Sequence, residues 1–357
     1  MKSRTGCLLI FILVASVWAS DYKIALPGYQ YAFPRDHFDH PDYQTEWWYY
    51  TGNLKSKDGH RFGFELTFFR HGTARDTESS TWHIHDVYMA HLALSDLSGK
   101  RFYYDERMNR AGPGVAGVDQ QGGLIWNGNW QTQFAGGHQL LRGVSEKFGF
   151  QLDLKSDKPP VIHGQQGISQ KAEGASHASH YISFTRLPTS GSIELNGVTY
   201  QVEGTSWMDH EFFTESTETS EVGWDWLSLQ LDDHTELMLY RLRHKDGSVD
   251  PYSSGSYVDA QGKPLFLSSK DFGMTALGET WTSSRSKGIY PLRWHVSIPS
   301  AGLELDISTP LPSQELVGVI GPSYWEGAID ISGQRSGKSL HGIGYLEMTG
   351  YGTEATK

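Results

Sequence analysis

The sequence has 357 residues, of which 13% are aromatic and 40 are glycine, and its formal net charge is −11. This length is sufficient for two domains of ordinary size. The acidic balance disfavours nucleic acid and anionic membrane surfaces as partners, because binding to both depends on lysine and arginine.

The first 19 residues have the pattern of a secretory signal peptide. Lys2 and Arg4 precede an apolar run over residues 7–18, and Val17 and Ala19 are small residues at the expected cleavage site. The run is short for a membrane span, and an uncleaved anchor is the alternative. Cleavage after Ala19 predicts a periplasmic or secreted protein with no cysteine and no membrane span.

From residue 45 onward, apolar and polar residues alternate with period two, which predicts β-strands. Alternating segments are 61–70, 85–97, 236–243, 292–298, 303–309 and 328–334. Turn signals such as Asn196-Gly197 separate them. Residues 155–180 are rich in glycine, serine and polar residues and predict a long loop, which is often functional. No long amphipathic helix is visible, which disfavours a parallel α/β fold.

A faint repeat divides the chain into two similar β units. EWWYYTGNL (46–54) and GWDWLSLQL (223–231) each open a predicted hairpin whose second strand ends in arginine. The polar run TESTETSE (214–221) lies just before the second copy. The predicted domains are therefore 33–213 and 223–352, joined by a linker over 214–222. Up-and-down barrels, which can enclose a lipophilic ligand, fit this pattern; two-sheet sandwiches are the alternative.

Six aromatic-rich segments, in order over about 310 residues, resemble the AttH-like and carotenoid 1,2-hydratase (hydroxyneurosporene synthase) family. They are HPDYQTEWWYYTGNL (40–54), YMAHLALSD (88–96), SWMDHEF (206–212), GWDWLSLQLDD (223–233), SYWEGAIDISG (323–333) and GYLEMTGY (344–351). The resemblance implies an all-β fold of two lipocalin-like barrel domains packed together, and export from the cytoplasm. Members of this family have been described as secreted hydrolases, as carotenoid hydratases and as accessory proteins of an ABC export system. One fold can host several functions, so the resemblance indicates the family more firmly than the activity.

The first candidate site is the EWWYY segment. On a strand, Trp47 and Tyr49 face one way, and Trp48 and Tyr50 face the other. Glu46 beside aromatic rings is expected to have a raised pKa, which suits a general acid. The alternative is that the segment only packs a core.

The second candidate is WMDHEF. Asp209 and Glu211 share one side of the strand, and His210 lies on the other. An acid here is expected to donate a proton while His210 orients a water molecule. The alternative is a hydrogen-bond network that joins the domains. We expect Glu46 and Asp209 to reach one apolar cavity.

The third candidate is Trp224-Asp225-Trp226, for which closure of a barrel by a tryptophan and Arg241 is the alternative. The predicted catalytic residues are thus Glu46, Asp209, His210 and Glu211. The predicted ligand-binding residues are Trp47, Trp48, Tyr49, Trp207, Trp224, Asp225, Trp226, Tyr324 and Trp325.

His83, His85 and His91 share one strand face, and histidines at this spacing can bind zinc or copper. No further ligand follows at a recognised spacing, so we predict neither a metal nor another cofactor. Ser206 lies in GTSWM (204–208), which lacks the second glycine of a nucleophile elbow. It is therefore a weak candidate for a catalytic nucleophile.

Three functions remain open at this point. The first is a secreted protein that binds an isoprenoid or polyene and hydrates it. The second is a carrier of lipophilic ligands that works with an ABC transporter permease. The third is a secreted hydrolase, which lacks a convincing nucleophile.

Overall fold

The computed structural model describes residues 22–73, 84–214, 221–318 and 323–352. Within these ranges the protein is all-β, apart from two single turns of 3₁₀-helix at Arg35–His37 and Pro299–Ala301. None of the helical turns in these ranges has the length and apolarity that a membrane crossing requires. The predicted signal peptide and His83 lie outside the described residues.

The first sheet contains thirteen strands. They are β1 (Thr45–Ser56), β2 (Arg61–Gly72), β3 (Asp86–Asp96), β4 (Arg101–Arg110), β5 (Ala116–Asp119), β6 (Leu124–Asn127), β7 (Trp130–Ala135), β8 (His138–Val144), β9 (Phe148–Lys155), β10 (Val161–Ile162), β11 (Ser169–Gln170), β12 (Ala178–Leu195) and β13 (Val198–Phe213). Their order is β4-β3-β2-β1-β13-β12-β9-β8-β7-β6-β5, with β10 and β11 paired to β12. Arg107 of β4 donates to the Asn127 carbonyl of β6 at 3.0 Å, so the sheet curls until its two ends meet.

The second sheet contains ten strands. They are β14 (Glu221–Leu231), β15 (Glu236–His244), β16 (Ser254–Val258), β17 (Pro264–Ser268), β18 (Gly273–Thr282), β19 (Ile289–Ile298), β20 (Leu303–Ser308), β21 (Glu315–Leu316), β22 (Tyr324–Arg335) and β23 (Lys338–Thr349). Their order is β17-β16-β15-β14-β23-β22-β20-β19-β18, with β21 paired to β22. The two sheets follow one another along the chain, and neither takes a strand from the other.

Local sequence explains why these strands form. In β2, Phe62, Phe64 and Leu66 alternate with other residues and are fully buried in the first core. Asn196 and Gly197 both have positive φ, 50° and 81°, as the tight hairpin turn between β12 and β13 requires. A second apolar core, which includes Trp294 and Trp325, fills the other sheet.

The two sheets pack closely through β1, β2 and β13 on one side and β14, β22 and β23 on the other. A Cβ atom at Gly63 would lie 2.7 Å from the Tyr345 hydroxyl and 3.0 Å from the Ala328 Cβ, so a larger residue does not fit there. Asn53 donates to the Gly344 carbonyl at 3.0 Å, and Gln230 donates to the Ser206 carbonyl at 2.9 Å. These contacts surround a cavity between the sheets.

Candidate active site between the two sheets

The cavity has a volume of about 220 Å³ and is lined mainly by apolar and aromatic side chains. The rings come from both sheets: Trp47, Tyr49 and Phe69 from the first, and Trp224, Trp226 and Tyr324 from the second. Such a concave apolar site with a few polar groups is typical of small-ligand pockets.

The EWWYY and WMDHEF segments are neighbours in the first sheet, as the sequence predicts. Strands β1 and β13 are antiparallel, and Trp47 pairs with Glu211 while Tyr49 pairs with Asp209. Because side chains alternate along a strand, these four residues share one face. That face lines the cavity.

Asp209 is the centre of the first polar corner. Tyr181 donates to its Oδ2 atom at 2.5 Å, while Ser183 and the Trp207 indole donate to Oδ1. Trp226 of the second sheet in turn donates to the Tyr181 hydroxyl at 2.9 Å. Burial raises the pKa of Asp209 to about 7, against the effect of these donors, and the charge of Glu211 adds to the rise.

The neighbouring acid, Glu211, is paired with a cation. Lys171 Nζ lies 3.3 Å from its Oε1 atom and 3.9 Å from the centre of the Tyr240 ring, and Ser179 donates to the same carboxylate. Burial opposes the charge on Lys171, but Glu211 and Tyr240 together outweigh it and raise the lysine pKa. Glu211 therefore has the positive partner that Asp209 lacks.

A second polar corner contains Glu65, Glu326 and Glu347. Burial raises the pKa of Glu65 to about 7 and that of Glu347 to about 8. It also raises the pKa of Glu326 well above its ordinary value, and the charge of Glu65 adds to this. Tyr49 donates to Glu326, and the Trp224 indole donates to Glu347 at 3.0 Å.

Glu46 and His210 lie on the opposite face of the same two strands, outside the cavity. Glu46 accepts hydrogen bonds from His40 at 2.7 Å, His210 at 2.8 Å and Arg70 at 3.1 Å. Burial opposes ionisation of Glu46, but His40 and His210 outweigh it and lower the pKa. The predictions that Glu46 reaches the cavity and has a raised pKa, and that His210 orients a water molecule beside Asp209 or Glu211, are therefore corrected.

One group of three potential metal ligands occurs in the described part of the chain: His40, Glu46 and His210, whose ligand atoms lie within 4.8 Å of one another. These side chains already bond to one another, and the Arg70 guanidinium contacts Glu46. A positive charge at that distance opposes a second cation. His91, one of the three histidines considered for a metal, lines the cavity.

Four of the predicted ligand-binding residues do not line the cavity. Trp48 and Trp325 alternate with cavity residues and are fully buried in the two cores. Asp225 accepts a hydrogen bond from Arg241 at 2.7 Å inside the second sheet, so it is the partner of an arginine and faces away from the cavity. Trp207 packs between the sheets and acts on the cavity through Asp209, to which its indole donates at 2.6 Å.

Several cavity residues were not predicted from the sequence as a site. They are Glu65, Thr67, Lys171, Tyr181, Tyr240, Glu326 and Glu347. Glu65 had a local signal, because it is an acid in the middle of a strand that is otherwise mostly aromatic and apolar. Lys171 had none, because it lies in the predicted loop over 155–180.

Comparison with known proteins identifies a family that shares this architecture. The family model described as AttH-like matches residues 24–351. A protein of Nitrosomonas europaea assigned as an AttH has a similar crystal structure. It is 31% identical and has a TM-score of 0.82, over 93% of this chain and 100% of that one. No curated protein is significantly similar in sequence.

More distant structures share the fold. Kievitone hydratase from Nectria haematococca is 15% identical with a TM-score of 0.71, over 92% of this chain and 96% of that one. CghA in complex with Sch210972 is 12% identical with a TM-score of 0.52, over 86% and 89%. The prediction of two lipocalin-like domains and the resemblance to the family are confirmed.

Proposed function

The chain belongs to the AttH-like family, and from this premise we propose that it binds a small lipophilic alkene between its two sheets and adds water to a double bond. The ligand class is an isoprenoid or polyene, and the reaction class is that of a hydro-lyase. We further propose that the protein is exported, with cleavage after Ala19.

One observation carries this proposal: an apolar, aromatic cavity holds five carboxyl groups and one lysine. The acids are Glu65, Asp209, Glu211, Glu326 and Glu347. Four of the five have raised pKa values. Such acids are protonated at a pH where ordinary carboxyl groups are ionised, as general acid catalysis requires.

The chemistry of alkene hydration matches the two kinds of group. Asp209 is the proposed acid, which protonates one carbon of the double bond and leaves a carbocation at the other. The faces of Trp47, Trp224 and Trp226 attract positive charge, and the Asp209 carboxylate left behind adds a negative charge. Water then attacks the cation. The name of kievitone hydratase, a structural neighbour, supports this reaction class.

The test is incubation of the protein with farnesol and with lycopene in ¹⁸O-labelled water, followed by mass spectrometry. We expect incorporation of one labelled oxygen into one of these probes. Asp209→Asn should lower the rate by about 10²–10⁴-fold, because the amide keeps the shape but supplies no acidic proton. Glu203→Gln, at an exposed position of the same strand, is the matched control and should retain the full rate.

Full activity in Asp209→Asn would remove that residue from the proposal. Binding without conversion, in the wild type and in the variant, would favour a carrier, with or without a partner ABC permease. Release of an acid or alcohol from an ester probe would favour a hydrolase.

N-terminal sequencing of the exported protein tests cleavage after Ala19, and an intact first residue would contradict it.

A further inference from the structure

His91 lines the cavity, and one of its ring nitrogens has no hydrogen-bond partner among the described residues. Its Nδ1 atom lies 2.5 Å from the Tyr324 hydroxyl oxygen, and Tyr324 donates its proton to Glu65 Oε1 at 3.1 Å. A tyrosine hydroxyl has one proton to donate. When Glu65 is ionised and accepts this bond, His91 Nδ1 carries a proton and donates it to Tyr324.

In this tautomer His91 Nε2 carries no proton, and its lone pair can accept a hydrogen bond. His91 is 3% exposed, and Nε2 has no hydrogen-bond partner among the described residues. Burial lowers the pKa of His91 to about 4, which keeps the ring neutral. A buried acceptor without a partner is costly, so a donor in the cavity would be stabilised there.

Glu65 also interacts with an acid of the second sheet. The charge of Glu65 adds to the rise that burial causes in the pKa of Glu326, which favours one proton on the pair over two charges. Thr67 also donates to Glu65 Oε1, at 2.9 Å. His91 and Glu65 belong to the first sheet, and Tyr324 and Glu326 to the second, so these contacts exist only when both sheets are in place.

We propose that His91 Nε2 binds the attacking water molecule and accepts its proton, and that Tyr324 and Glu65 carry the charge away. This inference rests on the proposed function, because it assigns the basic half of the same hydration. Asp209 lies on β13, three strands from His91 on β3, and supplies the acidic half.

The step balances without a further reactant. A water O–H bond breaks as the C–O bond forms, and the proton moves to His91 Nε2. The Nδ1 proton then passes to Tyr324, whose own proton passes to Glu65 Oε1. One proton has left Asp209, one has arrived at Glu65, and His91 now carries its proton on Nε2. Return of the Glu65 proton through Tyr324 to Nδ1 releases the Nε2 proton to water, and water reprotonates Asp209, which restores the starting state. Water that attacks a carbocation becomes strongly acidic, so a weak base such as His91 is sufficient.

The surrounding charges determine the expected pH dependence. Other titratable groups interact with the hydrogen-bonded row of His91, Tyr324 and Glu65. They are Glu326, Glu347, Tyr49 and Tyr345. Glu65 must be ionised to accept the proton, and Asp209 must be protonated to donate one. Since both have a pKa of about 7, kcat/KM should be bell-shaped with both limbs near pH 7.

The experiment measures farnesol hydration by Tyr324→Phe and His91→Gln over pH 5–9. We expect kcat to fall by about 10²–10⁴-fold in His91→Gln with little change in KM. In Tyr324→Phe the limb that rises with pH should disappear, because Glu65 no longer receives the proton. His295→Gln, a half-exposed surface histidine, is the control. Full kcat with both limbs in Tyr324→Phe would overturn the inference.

A second measurement separates this inference from the proposed function. In ¹⁵N NMR of histidine-labelled wild type, with the His91 signal identified from His91→Gln, we expect Nδ1 protonated and Nε2 unprotonated. A protonated Nε2 overturns the inference whether or not water is added. An inert wild type with unprotonated Nε2 overturns the proposed function and leaves His91 as a hydrogen-bond acceptor for a ligand.

Discussion

The two faces of strands β1 and β13 both bury acids, with opposite results. On the core face, Glu46 is fully buried and contacts Arg70, His40 and His210, and its pKa is lowered. On the cavity face, Asp209 is equally buried among uncharged donors, and its pKa is raised. Burial is common to both, so the presence of cationic partners decides which acid is ionised and structural and which is protonated and available for chemistry.

The largest effect is expected when the core face loses its cation. Arg70→Met should lower the free energy of unfolding by about 3–5 kcal/mol, because Glu46 remains buried without its guanidinium partner. Urea denaturation followed by circular dichroism measures this. A loss below about 1 kcal/mol would show that His40 and His210 alone hold the Glu46 charge.

Neighbouring tryptophans test the same contrast without charges. Trp48 is fully buried in the core, so Trp48→Ala should cost about 3–5 kcal/mol of unfolding free energy. Trp47 lines the cavity and is partly exposed, so Trp47→Ala should cost about 1–2 kcal/mol.

Ligand binding should follow the opposite order. Trp47→Ala should weaken binding of the neutral fluorescent probe N-phenyl-1-naphthylamine more than Trp48→Phe, a milder core variant that keeps an aromatic ring. Equal loss of binding in both variants would mean that the cavity depends on core packing and that the two faces do not act separately.

The two faces should also respond to pH with opposite sign. The lowered pKa of Glu46 contributes stability above its ordinary value of 4.5, and this is lost as the pH falls below that value. The raised pKa of Glu347, about 8, contributes stability that is complete below 4.5 and is lost as the pH rises towards 8.

Glu347→Gln isolates the second contribution. Between pH 5 and 8, the unfolding free energy of the wild type should fall more steeply than that of the variant, because the folded wild type binds the extra proton. Chemical denaturation at four pH values measures both slopes. Glu304→Gln, on the surface, should keep the wild-type slope, and a matching slope in Glu347→Gln would contradict the cavity assignment.

Local sequence predicts the strands and even the two faces, because alternation is a property of consecutive residues. Trp47 and Tyr49 share a face that is read from their spacing alone. Which face becomes a core and which a cavity depends on the second sheet, which sequence spacing does not place. The raised pKa predicted for Glu46 was wrong for the same reason: Arg70 and His210 are distant in sequence and reach it only through strand pairing.

The loop prediction shows a second limit. Within residues 155–180, two short strands pair with β12, and Lys171 follows the second of them. No hydrophobic period marks strands of two residues, so their contribution to the cavity is invisible in the sequence.

The repeat, by contrast, is informative: Glu46 pairs with Arg70 and Asp225 pairs with Arg241 at corresponding positions of the two hairpins.

The smallest effect is expected where an ion pair joins the two sheets in contact with solvent. Arg61 Nη2 lies 2.5 Å from Asp330 Oδ1, but the two side chains are 39% and 41% exposed. Water already solvates both charges, and salt screens them, so Arg61→Met should cost less than about 1 kcal/mol of unfolding free energy. Urea denaturation at low salt and in 1 M NaCl measures this, and we expect the small difference from the wild type to vanish at high salt. A cost near that of Arg70→Met would mean that distance rather than burial sets the strength of these pairs, and the contrast between the two faces would then need another cause.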